Sequence, residues 1–368
     1  MRKWIAGLML TALLTVMAAG ALAAGVTLRT FTPFADIDDA AQGYMDMITA
    51  WESEHGNIVE DYSGLTDEAW TQSMLDMVRS GEADIVVIPL NSGLTYEDLV
   101  TVDEVIEAVP DLGFKRFEAL TESDSSVLLS PLRISWEALY INMDVMERCG
   151  VAVPTTYEEL LGACSALAAQ GVTPIANALG DWPEIVLDCA ALASAPVDVY
   201  GNQESLDGAQ QMLSALHALG AFGSDPFTGS DMDAMQAFIN GSAAMRIDSD
   251  MLSHMLSAER CENVAVISLP HRLGESRSAL VGVPGFGIAI TRACWEDDDR
   301  LEAALSFIRM MLAEENYKKL AVGVEGRLGD SVYCLLNAAT DCAGILYDRM
   351  DGSFDSWSQG VIQALQSP

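Results

Sequence analysis

The sequence predicts an α/β fold divided between two lobes. Two observations carry this. Segments of strand and helix character alternate as β-α-β-α-β near the start of the chain, the pattern of a parallel, doubly wound sheet with helices on both faces. The chain is also 368 residues long and 50% hydrophobic, enough for two cores rather than one.

Each element has its own reason. Gly25–Phe31 reads as a short strand, and Asp36–His55 as a helix. Asp36, Asp38 and Asp39 fall in its first turn, where carboxylates meet the positive end of the helix dipole. Ile58–Tyr62 is a second strand. Thr66–Ser80 is a helix with Trp70, Met74, Met77 and Val78 on one face, stopped by Gly81. The unbroken run Ile85-Val86-Val87-Ile88, inside Asp84–Pro89, reads as a strand buried on both faces. Ala138–Asn142 is a strand and Met143–Cys149 a helix, broken by Gly150–Pro154. Thr156 and Glu159 have the spacing of a capping box for a helix reaching about Ala169. Gly171–Ala176 is a short extended piece. Helices follow over Trp182–Ala193, Gln203–Leu219 and Asp231–Asn240, with strands at Ala243–Asp248, Val264–Leu269 and Gly287–Thr291. From Asp299 the chain is helical again, most clearly over Arg300–Glu315. No repeat or low-complexity linker separates the halves, so the chain is expected to cross between lobes inside the fold.

The N-terminus gives an address. Met1-Arg2-Lys3 precedes an uncharged run from Trp4 to Leu28, rich in Leu, Met and Ala, with small residues at Ala21–Gly25. A charged start, an apolar stretch and an A-x-A site predict a secretory signal over residues 1–23, cleaved after Ala23. Retention of the segment as a membrane anchor is the alternative, since the run is long enough to span a bilayer. No cysteine precedes Cys149, so there is no lipobox cysteine to carry a lipid. The protein is expected in a periplasm or on the outer face of the cytoplasmic membrane.

Composition excludes several classes. Fifty-four acids against 19 Lys and Arg give a formal charge of −35, which repels phosphate backbones and anionic lipids and argues against nucleic acid as a partner. Seven cysteines, an odd number, include no C-x-x-C pair, so redox and zinc motifs are missing. Cys164 and Cys189 sit in apolar helical patterns as buried thiols, and Cys334 and Cys342 are close enough for a local disulfide. There is no G-x-S-x-G, H-E-x-x-H or G-x-x-x-x-G-K-[ST] motif, and His55, His217, His254 and His271 have no metal-ligand spacing. No cofactor, no metal and no enzymatic activity are expected. A glycosidase needs only two well-placed carboxylates, so a secreted hydrolase stays open as an alternative.

Four segments resemble family 1 extracellular solute-binding proteins, the capture subunits of ABC sugar importers, with maltose-binding protein as a relative. They are Ser80–Ile88, Ala138–Met146 continuing through Cys149-Gly150-Val151 to Pro154–Leu160, Ala237–Arg246, and Val281–Ile290. They come in family order and span nearly the whole chain beyond the leader. The resemblance implies a type II periplasmic-binding-protein fold in which two lobes close by hinge motion on a ligand in the cleft between them. By analogy, residues 24–136 and 265–312 form one lobe and 137–264 and 313–368 the other. Crossings are expected near Trp136–Ala138, Val264–Leu269 and Ala313. The implied function is capture of a saccharide by a monomer, with delivery to the permease subunits of an ABC transporter. An amine or a small peptide is the alternative ligand.

Loops at the carboxyl ends of strands supply the candidate contacts. Phe34 could stack on a ligand, and Asp36 could accept hydroxyl hydrogen bonds or simply cap its helix. Asn91 offers donor and acceptor groups suited to a neutral polyol. Trp136 and Glu137 sit beside the first expected crossing. Trp182 matches a place where the family often presents an aromatic ring to sugar. Asp248 and Asp250 stand where many sugar binders carry Gly and Trp, so this pair would take dense hydroxyl bonding or a cation. Gly285 and Phe286 come from the family's glycine-bearing strand, whose backbone could approach a ligand closely. Arg327 is a candidate bidentate contact.

Overall fold

The computed structural model describes residues 25–34, 38–89, 92–115, 128–194, 203–272, 281–340 and 353–366. The leader, Asp36, Asn91 and Cys342 lie outside them. The first elements follow the expected order: β1 (Thr27–Phe31), α1 (Asp38–His55), β2 (Ile58–Asp61), α2 (Glu68–Arg79) and β3 (Ile85–Pro89). β1 lies between β2 and β3, parallel to both, with Thr27 opposite Ile58 and Thr30 opposite Ile85. α2 starts where the Asp67 carboxylate accepts from the Trp70 amide, 2.8 Å away. A helix that hydropathy alone does not mark, α3 (Val102–Ala108), is fixed by a Thr101–Glu104 capping box.

β4 (Ser130–Asn142) leads to α4 (Met143–Cys149), α5 (Tyr157–Ala169), β5 (Thr173–Ile175), α6 (Glu184–Ser194), α7 (Gln203–Ala218), α8 (Asp231–Ile239) and β6 (Ala243–Ser249). The Thr156–Glu159 capping box opens α5 as its spacing requires. Next come α9 (Met251–Met255), α10 (Ala258–Cys261), β7 (Val264–Ile267) and β8 (Val281–Ile290). The C-terminal part is helical: α11 (Arg292–Trp295), α12 (Asp298–Leu312), α13 (Glu314–Tyr317), a π-helical turn over Lys318–Val322, α14 (Gly326–Thr340) and α15 (Ser353–Gln366). Among the described residues, no helix is long and apolar enough to cross a membrane.

The strands form one sheet in the order β2-β1-β3-β8-β4-β6-β5, with β7 added against β4. The sheet is continuous across both halves, and this has a physical cause. β4 runs for 13 residues and β8 for 10, longer than either core requires. β8 pairs antiparallel with β3 through Ile85–Pro89 and with β4 through Ser130–Glu137. Beyond that stretch β4 pairs antiparallel with β6 and, on its other edge, with β7. Two antiparallel strands therefore weld parallel β2, β1 and β3 to β7 and the parallel pair β5–β6 in one mixed sheet.

Apolar residues collect on the two sides of this weld. Leu28, Trp51, Ile85, Leu132, Ile290 and Phe307 share one core. On the other side, Leu139, Leu160, Leu213 and Met245 share a second, and Trp136, Tyr140, Phe238, Val266 and Leu335 a third. Around the expected crossings, β7 lies along Leu139–Asn142 with Val266 in the third core, β8 pairs with both β3 and β4, and past Ala313 Leu320 packs in the first core and Val322 in the third.

Cys164, Cys189, Cys261 and Cys294 are buried free thiols, and burial pushes Cys164 up to about 12. Cys334 is exposed and unpaired among the described residues. The weld is also a close approach. A side chain on Gly287 would meet Leu129 Cβ at 2.6 Å and the Ser130 carbonyl at 3.2 Å. Gly287→Ala is expected to cost about 1–3 kcal/mol by overpacking, measured as a lower urea midpoint at unchanged slope.

Candidate functional site

The general rule for α/β sheets directs attention to the carboxyl ends of the parallel strands. On the first half, β1 and β2 end in a chain of hydroxyls around one carboxylate. Tyr44 Oη donates to Thr30 Oγ1 (3.0 Å), and Thr30 Oγ1 donates to Asp61 Oδ1 (2.8 Å). The Ser63 amide donates to Asp61 Oδ2 (3.2 Å), and the Ser63 hydroxyl meets Thr32 Oγ1 at 2.5 Å. A cavity of about 260 Å³ opens beside them, lined by Ala41, Gln42, Tyr44, Met45, Asp61 and Ser63. Burial, reinforced by Asp61, holds the Tyr44 phenol well above its ordinary range, so it stays a neutral donor. Phe31 stacks on Tyr62 at 5.0 Å and meets Trp70 edge-on at 5.8 Å, and Trp70 Nε1 donates to the Tyr62 carbonyl. These rings do not line the cavity: Phe31 packs with Met74 and Val78, in a different cluster from Tyr44.

On the weld itself, alternation along β4 brings out Arg133, Ser135 and Glu137, while Ile134, Trp136 and Ala138 are buried. Ser135 Oγ donates to Asp250 Oδ2 (3.3 Å), and the Asp250 amide donates to the Trp136 carbonyl (2.8 Å). Burial raises the Asp250 carboxyl above the usual carboxylate range, against the opposing pull of Ser135, His254 and Arg133.

On the second half, the loop after β5 carries Asp181 and Trp182. Trp182 is 55% exposed, unusual for so large an apolar side chain. Its loop is held by a chain of contacts. Arg246, buried on β6, pairs with Asp248 (2.5 Å) and Asp231 (2.7 Å) and donates to the Ala176 carbonyl (2.9 Å). The Asp231 amide in turn donates to Asp181 Oδ2 (2.8 Å). Gly180 fits because a Cβ there would sit 2.1 Å from the Phe227 carbonyl oxygen.

The expected contacts divide on this geometry. Trp182, Glu137, Asp250, exposed Gly285 and half-buried Phe286 lie on the strand ends or the weld. Phe34 does not face a ligand: it is fully buried and packs on Tyr44, because the turn after β1 folds it under α1. Trp136 is core as well, stacked on Tyr140 at 5.5 Å, since its position in β4 points to the apolar side. Asp248 is consumed by Arg246, so no free Asp248/Asp250 pair exists. Arg327 donates to the Glu262 carbonyl at the end of α10. Asp36 and Asn91 lie outside the described residues. The residues not anticipated were Asp61, Tyr62, Ser63, Arg133 and Ser135. The first three are the end of an assigned strand and the residue after it, and the other two follow from extending the β4 alternation backwards.

A family profile for bacterial extracellular solute-binding proteins matches residues 46–328, most of the chain. The chain belongs to that family. It is 27% identical over 137 residues to a probable sugar-binding periplasmic protein of Brucella suis, covering 34% of this chain and 32% of that protein, so the match spans about a third of the relative's length. Among solved structures, an extracellular solute-binding protein family 1 member from Alicyclobacillus acidocaldarius superposes with a TM-score of 0.62 at 13% identity, covering 93% of this chain and 99% of the other. A probable secreted solute-binding lipoprotein from Streptomyces coelicolor gives 0.60 at 14%, covering 92% and 98%. These solute-binding proteins share the fold of this chain. The family is one of substrate capture rather than catalysis, and among the described residues no group of three or more His, Cys, Asp or Glu could hold a metal ion.

Two outcomes test the electrostatics. Arg246→Ala leaves two carboxylates facing each other and is expected to cost about 3–5 kcal/mol, read by urea denaturation. The folded-state acidity of Asp250 is weakened, so its stability contribution is full below the unfolded value and is lost as pH rises through the folded one. Asp250→Asn should therefore raise the melting temperature at pH 7, with the gain vanishing below about pH 4.

Proposed function

We propose that this solute-binding protein captures a neutral saccharide outside the cytoplasm, between two lobes that close about β4, β8 and the π-helical turn, and delivers it to the permease of an ABC transporter. The lobes follow the cores, with the first extending to about Leu132 and resuming from Ile288 to Leu320. The observation that carries the ligand class is the cavity around Asp61. Its carboxylate and hydroxyls supply acceptors and donors for sugar hydroxyls. The exposed Trp182 offers an apolar face for a pyranose from the other side. The name of the Brucella suis relative points to the same class. Pairing of Asp248 with Arg246 leaves a single raised carboxyl, Asp250, on this wall, which favours a neutral ligand over an amine.

A thermal-shift and calorimetric screen of mono- and oligosaccharides, polyamines and amino acids tests the reading. A saccharide should bind and be recovered unaltered. Asp61→Asn and Trp182→Ala should each weaken binding about tenfold or more, on the order of 1.4 kcal/mol, while Arg327→Ala leaves affinity unchanged. Binding confined to amines, or turnover of the bound sugar, would sink the proposal.

A further inference from the structure

We propose that Met251, His254 and Met255, on the exposed face of α9, form a binding site for a soft monovalent cation of the Cu(I) class. The three residues stand at positions i, i+3 and i+4 of α9, so their side chains rise from one face of the helix, with Cβ atoms about 5–6 Å apart. The orientation of α9 is fixed by the two residues between them. Leu252 is buried in the third core, and Ser253 Oγ donates back to the Asp250 carbonyl. That anchoring turns both thioethers and the imidazole outward. Met251 is 71% exposed and Met255 52%, although Met is ordinarily among the more buried residue types.

The donor set decides the cation. Two thioethers and one imidazole are soft and borderline ligands that favour Cu(I) and suit neither Ca²⁺ nor Mg²⁺, which need oxygen donors. Met has three rotatable bonds, so both sulfurs can swing onto one ion without moving the backbone. The imidazole is better placed. A side chain at Gly323, which is left-handed with φ 71°, would lie 3.1 Å from His254 Cε1, so the ring edge rests against that backbone. The charge balance is favourable too. Asp250 precedes the site and interacts with His254, and the whole chain carries −35. The site rests on α9 alone and is independent of the saccharide reading.

The experiment uses full-length protein labelled with ¹³C-methyl methionine, its accessible thiols blocked with N-ethylmaleimide, and Ag(I) as a redox-inert probe of the class. One equivalent should shift two methyl resonances, identified as those missing from Met251→Leu and Met255→Leu. A competition assay with a Cu(I) chelator under anaerobic conditions should show His254→Gln weakening the site about tenfold and the double leucine variant abolishing it. The circular dichroism and melting temperature of these surface variants should match the parent. Shifts spread over other methionines, undiminished binding by the double variant, or binding that disappears once thiols are blocked would each overturn the proposal.

Discussion

From Ser130 opposite Ile288 to Glu137 opposite Val281, main-chain hydrogen bonds tie β4 to β8, and everything else in the molecule is arranged around that pairing. Each strand has to satisfy two environments. β8 continues into β3 and the first core, while β4 continues into β6, β7 and the other two. Antiparallel pairing allows this because strands of opposite direction can share a ladder while their ends diverge. The register slips between Pro131 and Ile134 mark where the strands bend from one half to the other. Gly287 sits against Leu129 and Ser130 at the same place, where a larger residue has no room.

The weld also explains why the polar groups of the site are where they are. Alternation along β4 leaves Ser135 exposed and Arg133 and Glu137 half-buried on the face opposite Ile134 and Trp136. Polar groups elsewhere in the fold are tied down: Arg246 neutralises Asp248 and Asp231, and Arg300 neutralises buried Asp84 at 2.9 Å. At Asp250, as at Asp84, burial outweighs the hydrogen bonds and nearby charges and keeps the carboxyl harder to ionise. A carboxyl held at such a cost in a cleft is the kind of group that a binding site retains.

Much of the fold was legible because it rests on local chemistry. The boundaries of α4 and α5 follow from Asn142 and Thr156 accepting from backbone amides three residues on. The candidate site was less legible. Trp182 stood out because it matches a place where the family often presents an aromatic ring, and it is exposed. Phe34 and Trp136 looked equivalent to it in sequence but proved to be buried, because side-chain direction depends on how α1 and β4 sit in the assembled sheet. Asp248 and Asp250 looked like a pair, yet they are two residues apart across a strand end, and only Asp248 points to Arg246.

The sequence by itself determined the order of elements, the acidic surface, the family, and the residue types available at the strand ends, since each depends on composition or short-range spacing. Only the tertiary structure decided which of those residues are free. It showed that a single sheet passes through both halves, that β8 pairs with both β3 and β4, and that Leu320 and Val322 belong to different cores. It also exposed the cavity beside Asp61, and set Met251 and Met255 on an outward face. Those outcomes depend on partners tens to hundreds of residues away, and no local pattern encodes which partner a side chain will meet.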